Sequence, residues 1–179
     1  MGPNRVYFQS GRFGLGALVG VFLTLITLIS SVPARAQPAE AISRPFDSMS
    51  GVWTGTGSIT LGSGDKERIR CRVTYKVDSG GTRVEQDLRC ASDSYKFELS
   101  SDISYAGGFI TGLWNETSRR TSGTISGRAT TGRIEAMAET GGFAALFTMV
   151  TRGDSQSVRI ESKSQEISDV TITLRRSSR

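Results

Sequence analysis

From Val52 to Leu174 apolar and polar residues alternate with period two, and Gly, Ser and Asp break the alternation about once every ten residues. Period two is the side-chain repeat of a β-strand with one covered face. Ten segments carry it: 52–61, 66–77, 83–91, 94–104, 108–116, 121–129, 132–139, 143–151, 156–162 and 167–176. No stretch of this region has a helical period. Consecutive strands joined by short turns meander, and a meander of this length avoids bare edges by closing on itself. The pattern predicts an all-β domain, residues 50–179, built as a single antiparallel up-and-down β-barrel of about eight to ten strands.

Two segments also reveal their register. Ile69, Cys71, Val73, Tyr75 and Val77 share one face; Val84, Gln86, Leu88 and Cys90 share the inner face of the next. Pairing Cys71 with Cys90 across the turn at Ser79–Thr82 also pairs Val73 with Leu88, Tyr75 with Gln86 and Val77 with Val84. Directly opposed residues lie about 4.5–5.5 Å apart, within disulfide reach. The two cysteines do not form a Cys-x-x-Cys redox pair, and no further soft ligand accompanies them for a metal. A structural Cys71–Cys90 disulfide is expected. The outer faces interleave Arg70, Arg72, Arg83 and Arg89 with Glu85 and Asp87, which reads as a solvated wall carrying a charge ladder.

The disulfide implies an oxidising compartment, and the N-terminus supplies a route to one. Arg5 and Arg12 precede an apolar run from Phe13 to Ile29, and Ala34-Arg35-Ala36 places small residues where a signal peptidase reads. Residues 1–36 are therefore expected to be a secretory signal cleaved after Ala36, with periplasmic or secreted location and no stable membrane insertion after cleavage. The 17-residue run is at the short limit for a membrane span, so an uncleaved anchor is the alternative. Residues 37–49, aperiodic and holding Pro38 and Pro45, read as a flexible tether with a short helical turn near Phe46 to Met49. The chain has 22 Lys and Arg against 17 Asp and Glu, but Arg5, Arg12 and Arg35 belong to the signal, which holds no acid. The remainder is near neutral and offers no clustered positive surface for nucleic acid.

Histidine is absent. This removes Ser-His-Asp and Cys-His nucleophiles, His-ligated zinc and His-ligated haem. Glu98, Asp102, Glu135 and Glu139 are scattered carboxylates that alternation places mostly on outer faces, so no catalytic residue is assigned, and neither a cofactor nor a metal is expected.

The segment 121–129 and its successor are poor in large side chains: Thr124, Ser126, Ala136 and Ala138, with Gly123, Gly127 and Gly132 nearby. Small residues let a wall curl tightly or leave room for a guest. Tyr75, Phe97, Phe147, Ala136 and Ala138 are the candidate lining of a ligand cavity. The segment Phe109–Glu116 is apolar on both faces, so it is covered on both sides, by the tether or a loop, or presents an Ile110/Trp114 stripe to a partner. Ser118-Arg119-Arg120-Thr121, beside Glu116, is a basic turn that is either solvated or contacts an anion.

Gly51-Val52-Trp53 at the first strand and an arginine, Arg175 or Arg176, at the end of the last resemble the calycin superfamily. Its barrels include lipocalins, fatty-acid-binding proteins, avidins, bacterial metalloprotease inhibitors and nitrobindins. The resemblance implies that Trp53 packs at the closed end with Arg175 or Arg176 across it, a cation–π clamp worth about 0.5–2 kcal/mol. It brings no haem, since a nitrobindin ligates haem through histidine. In the metalloprotease inhibitors an N-terminal trunk enters the protease, a position that residues 37–49 would occupy here. The function expected is non-enzymatic binding of a small apolar ligand in the cell envelope; the alternative is interaction with an envelope protein, as a protease inhibitor or scaffold.

Overall fold

The computed structural model describes residues 43–163 and 166–178, so the expected signal, its cleavage site and residues 37–42 of the expected tether lie outside the described residues. Ten strands follow a single 3-10 turn at Asp47–Met49: β1 (Gly51–Leu61), β2 (Lys66–Val77), β3 (Arg83–Ala91), β4 (Lys96–Ala106), β5 (Phe109–Glu116), β6 (Thr121–Thr130), β7 (Arg133–Thr140), β8 (Phe143–Arg152), β9 (Ser155–Ser162) and β10 (Ile167–Arg176). Each pairs antiparallel with its successor, and β10 pairs with β1 to close an up-and-down barrel. No strand end differs from its sequence expectation by more than two residues.

The β2–β3 register matches the expected one at Cys71↔Cys90, Val73↔Leu88, Tyr75↔Gln86 and Val77↔Val84. The cysteines form the disulfide, with Cα atoms 4.1 Å apart. On the outer wall the ladder differs from expectation. Arg72 faces Arg89, and the carboxylates answering the β3 arginines come from β4: Arg83 pairs with Asp102, and Arg89 stands opposite Glu98.

One half of the interior is filled. Under β1, β2 and β10 lie Ile59, Ile69, Cys71, Val73, Ile172 and Leu174, all buried. Glycine allows this half to draw in. A Cβ at Gly57 would sit 1.8 Å from the Thr171 carbonyl oxygen of β10, so no other residue permits the two strands to approach so closely.

The closed end is built around Trp53. Its indole is fully buried, its Nε1 donates to the Met49 carbonyl at 2.8 Å, and the Arg176 guanidinium lies 4.2 Å from the ring centroid. Of the two candidate arginines, Arg176 faces Trp53 across the β1–β10 register, whereas Arg175 faces Thr54 and is exposed. Gly51 has φ +116°, a backbone conformation that disfavours a side chain, and this explains the glycine of the Gly-x-Trp pattern.

The described end of the expected tether is part of this floor. Phe46 and Met49 are buried, Phe46 meets Tyr105 edge to face, and Arg44 donates to the Ser79 and Gly80 carbonyls at 2.7 and 3.1 Å. Two apolar side chains three residues apart anchor this stretch, and the short helical turn expected near Phe46 to Met49 is present at Asp47–Met49.

In β5, Ile110 and Trp114 point inward and are buried, while Phe109 and Leu113 face out, 53% and 66% exposed. The expectation that both faces are covered is therefore corrected for the outer face, and so is the Ile110/Trp114 outward stripe. The register to β4, with Ile110 opposite Tyr105 and Trp114 opposite Ser101, commits the even-numbered residues to the interior.

Candidate functional site: an interior cavity

The other half of the interior is open. A cavity of about 590 Å³ runs beneath β3 to β9 and the start of β10. Its floor is Met49, Val84, Ile110, Ile134 and Met149, and its mouth lies at the end opposite Trp53, among the turns that hold Arg119, Gly142 and Glu166. The wall is chiefly apolar, and its volume lies in the range of small-molecule pockets, about 300–1,000 Å³.

The cavity exists because of side-chain size on β6 to β8. Ala136, Ala138 and Ala145 point inward, and each leaves the space that a leucine or phenylalanine would fill. Thr124 and Ser126 do not contribute, since the register turns them outward and turns Gly123, Ile125 and Gly127 in. The two alternatives for small residues are thus divided between residue types. Glycine lets the wall curl, with a Cβ at Gly123 only 1.8 Å from the Glu139 carbonyl oxygen, and alanine leaves the room. Gly123 also accommodates Trp114, whose Nε1 would lie 2.9 Å from such a Cβ.

Four of the five candidate lining residues stand at the cavity: Phe97 on β4, Ala136 and Ala138 on β7, and Phe147 on β8. Tyr75 does not. It lies on the inner face but toward the closed end, where its hydroxyl donates to Gln156 Oε1 at 2.9 Å and Gln156 Nε2 donates to Thr151 Oγ1 at 3.0 Å. Burial pushes the Tyr75 hydroxyl pKa well above its ordinary value, with the Gln156 hydrogen bond opposing it, so the phenol stays a neutral donor. Tyr75 seals the floor side by packing and hydrogen bonding, and this is a correction to its expected place. Alternation assigns a residue to a face but says nothing about its height along the barrel axis.

The carboxylates considered for acid–base chemistry lie away from the lining. Glu98 pairs with Lys96 at 2.7 Å, Asp102 with Arg83, and Glu135 with Arg133; Glu139 is exposed. The carboxylate that does reach the cavity from a strand is Glu116, flagged in the sequence only as a neighbour of the basic turn. It is buried, and its oxygens accept from the backbone N–H groups of Glu98 at 2.9 Å, Ser118 at 3.2 Å and Arg119 at 2.7 Å. Burial pushes its pKa up, but the hydrogen bonds from Glu98, Arg119 and Ser118 together outweigh that and hold it below the ordinary glutamate value. Its role is to shape the turn from Glu116 to Thr121.

That turn delivers Arg119, also on the cavity's rim. The guanidinium lies 4.8 Å from the centroid of Phe97 and 5.6 Å from that of Tyr95, two rings stacked within 10° of parallel. Sequence reading singled out the turn but not the direction of this side chain. Ser101 Oγ and Trp114 Nε1, on facing residues of β4 and β5, are buried in the cavity wall without a hydrogen-bond partner among the described residues.

No family model matches the chain, and no curated protein matches it. Among solved structures it is similar to the S-type phycobiliprotein lyase CPES from Guillardia theta, with 10% sequence identity, a TM-score of 0.53, and coverage of 75% of this chain and 91% of that one. At that identity the likeness is one of fold.

Proposed function

We propose that this chain is a non-catalytic, calycin-like binding protein that holds a small apolar ligand inside the barrel. The observation that carries the reading is the cavity itself, open at the end away from Trp53 and lined on β7 and β8 by alanines where larger residues would have closed it. A barrel whose purpose was only structural would gain by filling that space, since each buried methylene contributes about 0.8 kcal/mol. The lining gives catalysis little to work with: of its two described carboxylates Glu116 is engaged by three backbone N–H groups and Glu166 stands at the rim beside Arg119, and no imidazole or thiol is present to act as a base or nucleophile. The fold likeness to a lyase transfers no catalytic residue.

The Cys71–Cys90 disulfide supports export to an oxidising compartment, in line with the N-terminal signal read from the sequence. The test is native mass spectrometry of the protein purified from the envelope of its own host. A discrete mass excess, released by organic solvent, is the expected result; a bare protein mass that also fails to take up any neutral apolar probe would count against the proposal.

A further inference from the structure

Among the described lining residues one basic side chain, Arg119, faces two carboxylates, and the way it is held points to the kind of ligand. We infer that the ligand is an amphiphile with one anionic head group, a carboxylate or a phosphate, which Arg119 receives at the mouth while the apolar part extends to the floor at Met49 and Ile110. This rests on the cavity reading above and adds to it the chemistry of the ligand's polar end.

Three features of Arg119 carry the inference. Its guanidinium carbon stands over the Phe97 and Tyr95 rings, which the Tyr95–Phe97 stack presents side by side. A guanidinium whose charge is met by aromatic rings rather than by a close carboxylate keeps N–H donors available to a planar or tetrahedral oxyanion. Its existing polar contacts are long: Nη1 donates to the Lys96 carbonyl at 3.4 Å, and Nε lies 3.9 Å from Glu166 Oε2. Charge-assisted pairs of full strength stand at about 2.7–2.9 Å. The other carboxylate of the lining, Glu116, is engaged by the backbone N–H groups of Glu98, Ser118 and Arg119 rather than by the guanidinium.

The contact with Glu166 also fixes where the head group would sit. Arg119 comes from the β5–β6 turn and Glu166 from the β9–β10 turn, and in the strand order the β7–β8 turn stands between them on the rim. Their pairing is therefore a chord across the mouth. With the Glu166 side chain 71% exposed, the pair is weak, and an incoming anion can replace Glu166 as the partner of Arg119. At the other end of the cavity the floor offers no charge among the described residues, so an amphiphile has one favoured orientation.

The test compares dodecanoate, dodecyl phosphate and dodecanol, three ligands sharing one tail, by calorimetric titration of the delipidated full chain at low ionic strength. Wild type is expected to bind at least one of the anions about tenfold more tightly than the alcohol. The anion that shows the larger gap identifies the head group. Arg119→Gln is expected to abolish the gap in a chain whose urea unfolding remains cooperative, which demonstrates an intact barrel; Arg119→Lys should restore only part of it. Glu166→Gln, by removing the competing carboxylate, should widen it. Equal affinity for all three in wild type, or a gap that persists in Arg119→Gln, overturns the head-group assignment and leaves the cavity reading standing. Failure of wild type to bind any of the three overturns both.

Discussion

Arg176 and Trp53 face each other across the β1–β10 register, with the guanidinium carbon 4.2 Å from the indole centroid and the same guanidinium donating to the Ser48 and Ser50 carbonyls. One side chain thus ties the last strand to the first and to the turn that floors the barrel. Replacing it removes a cation–π contact and backbone hydrogen bonds together. Arg176→Ala is expected to lower stability by about 1–3 kcal/mol, read as a lower urea midpoint with an unchanged m-value. Arg176→Lys should recover less than half, because a point charge cannot lie over the ring and reach both carbonyls.

The disulfide joins residues 19 apart in sequence. A loop of that size is expected to contribute about 3 kcal/mol by restricting the unfolded chain. The double variant Cys71→Ser/Cys90→Ser should lose roughly that amount in urea denaturation and retain the β signature in circular dichroism, since the β2–β3 pairing is also held by its backbone ladder and by Val73 against Leu88.

Tyr75 and Gln156 form a buried pair outside the cavity. Tyr75→Phe leaves Gln156 Oε1 without this donor and is expected to cost about 1–3 kcal/mol, while ligand affinity stays within about twofold. Combining it with Gln156→Leu should recover part of the loss in a double-mutant cycle. A large drop in affinity with Tyr75→Phe would place the hydroxyl at the ligand after all.

Glu116 makes the fold acid-sensitive at the mouth. Its pKa in the folded chain is held below the ordinary glutamate value, so the folded state binds a proton less readily than the unfolded one. The resulting stability is present above the ordinary glutamate pKa and is lost as pH falls through the lower folded value. Denaturation midpoints measured downward from neutral pH should therefore fall more steeply in wild type than in Glu116→Gln. At neutral pH the Gln variant should already be weaker by about 1.5–3 kcal/mol, the contribution of one charged hydrogen bond.

Much of this molecule was legible because a half-covered sheet writes its pleat into the sequence. Strand positions and the Cys71–Cys90 register follow from alternation and from counting across one turn, whereas the pairing of Trp53 with a C-terminal arginine was implied by the calycin resemblance. What alternation did not resolve were strands whose two faces are alike. On β6 both faces carry small residues, Thr124 and Ser126 outward and Gly123 and Gly127 inward, and on β5 both faces are apolar; only the register to the neighbouring strand decides between them. The cavity's polar end was legible as a basic turn and no further, since the direction of Arg119 depends on Tyr95, just before β4, and Phe97, on it, a contact distant in sequence.

The central claim is that the space beneath β7 and β8 is a binding site, and filling it tests the claim directly. Ala136→Phe places a large side chain opposite Phe147 within the cavity, far from the packed half under β1, β2 and β10. The measurement is titration of a neutral, environment-sensitive apolar fluorophore into wild type and into this variant, alongside a urea unfolding curve for each. Saturable one-to-one binding by wild type is expected, with at least a tenfold loss in an Ala136→Phe chain that still unfolds cooperatively. Equal binding by the two folded proteins would contradict the account and move the ligand, if there is one, outside the barrel.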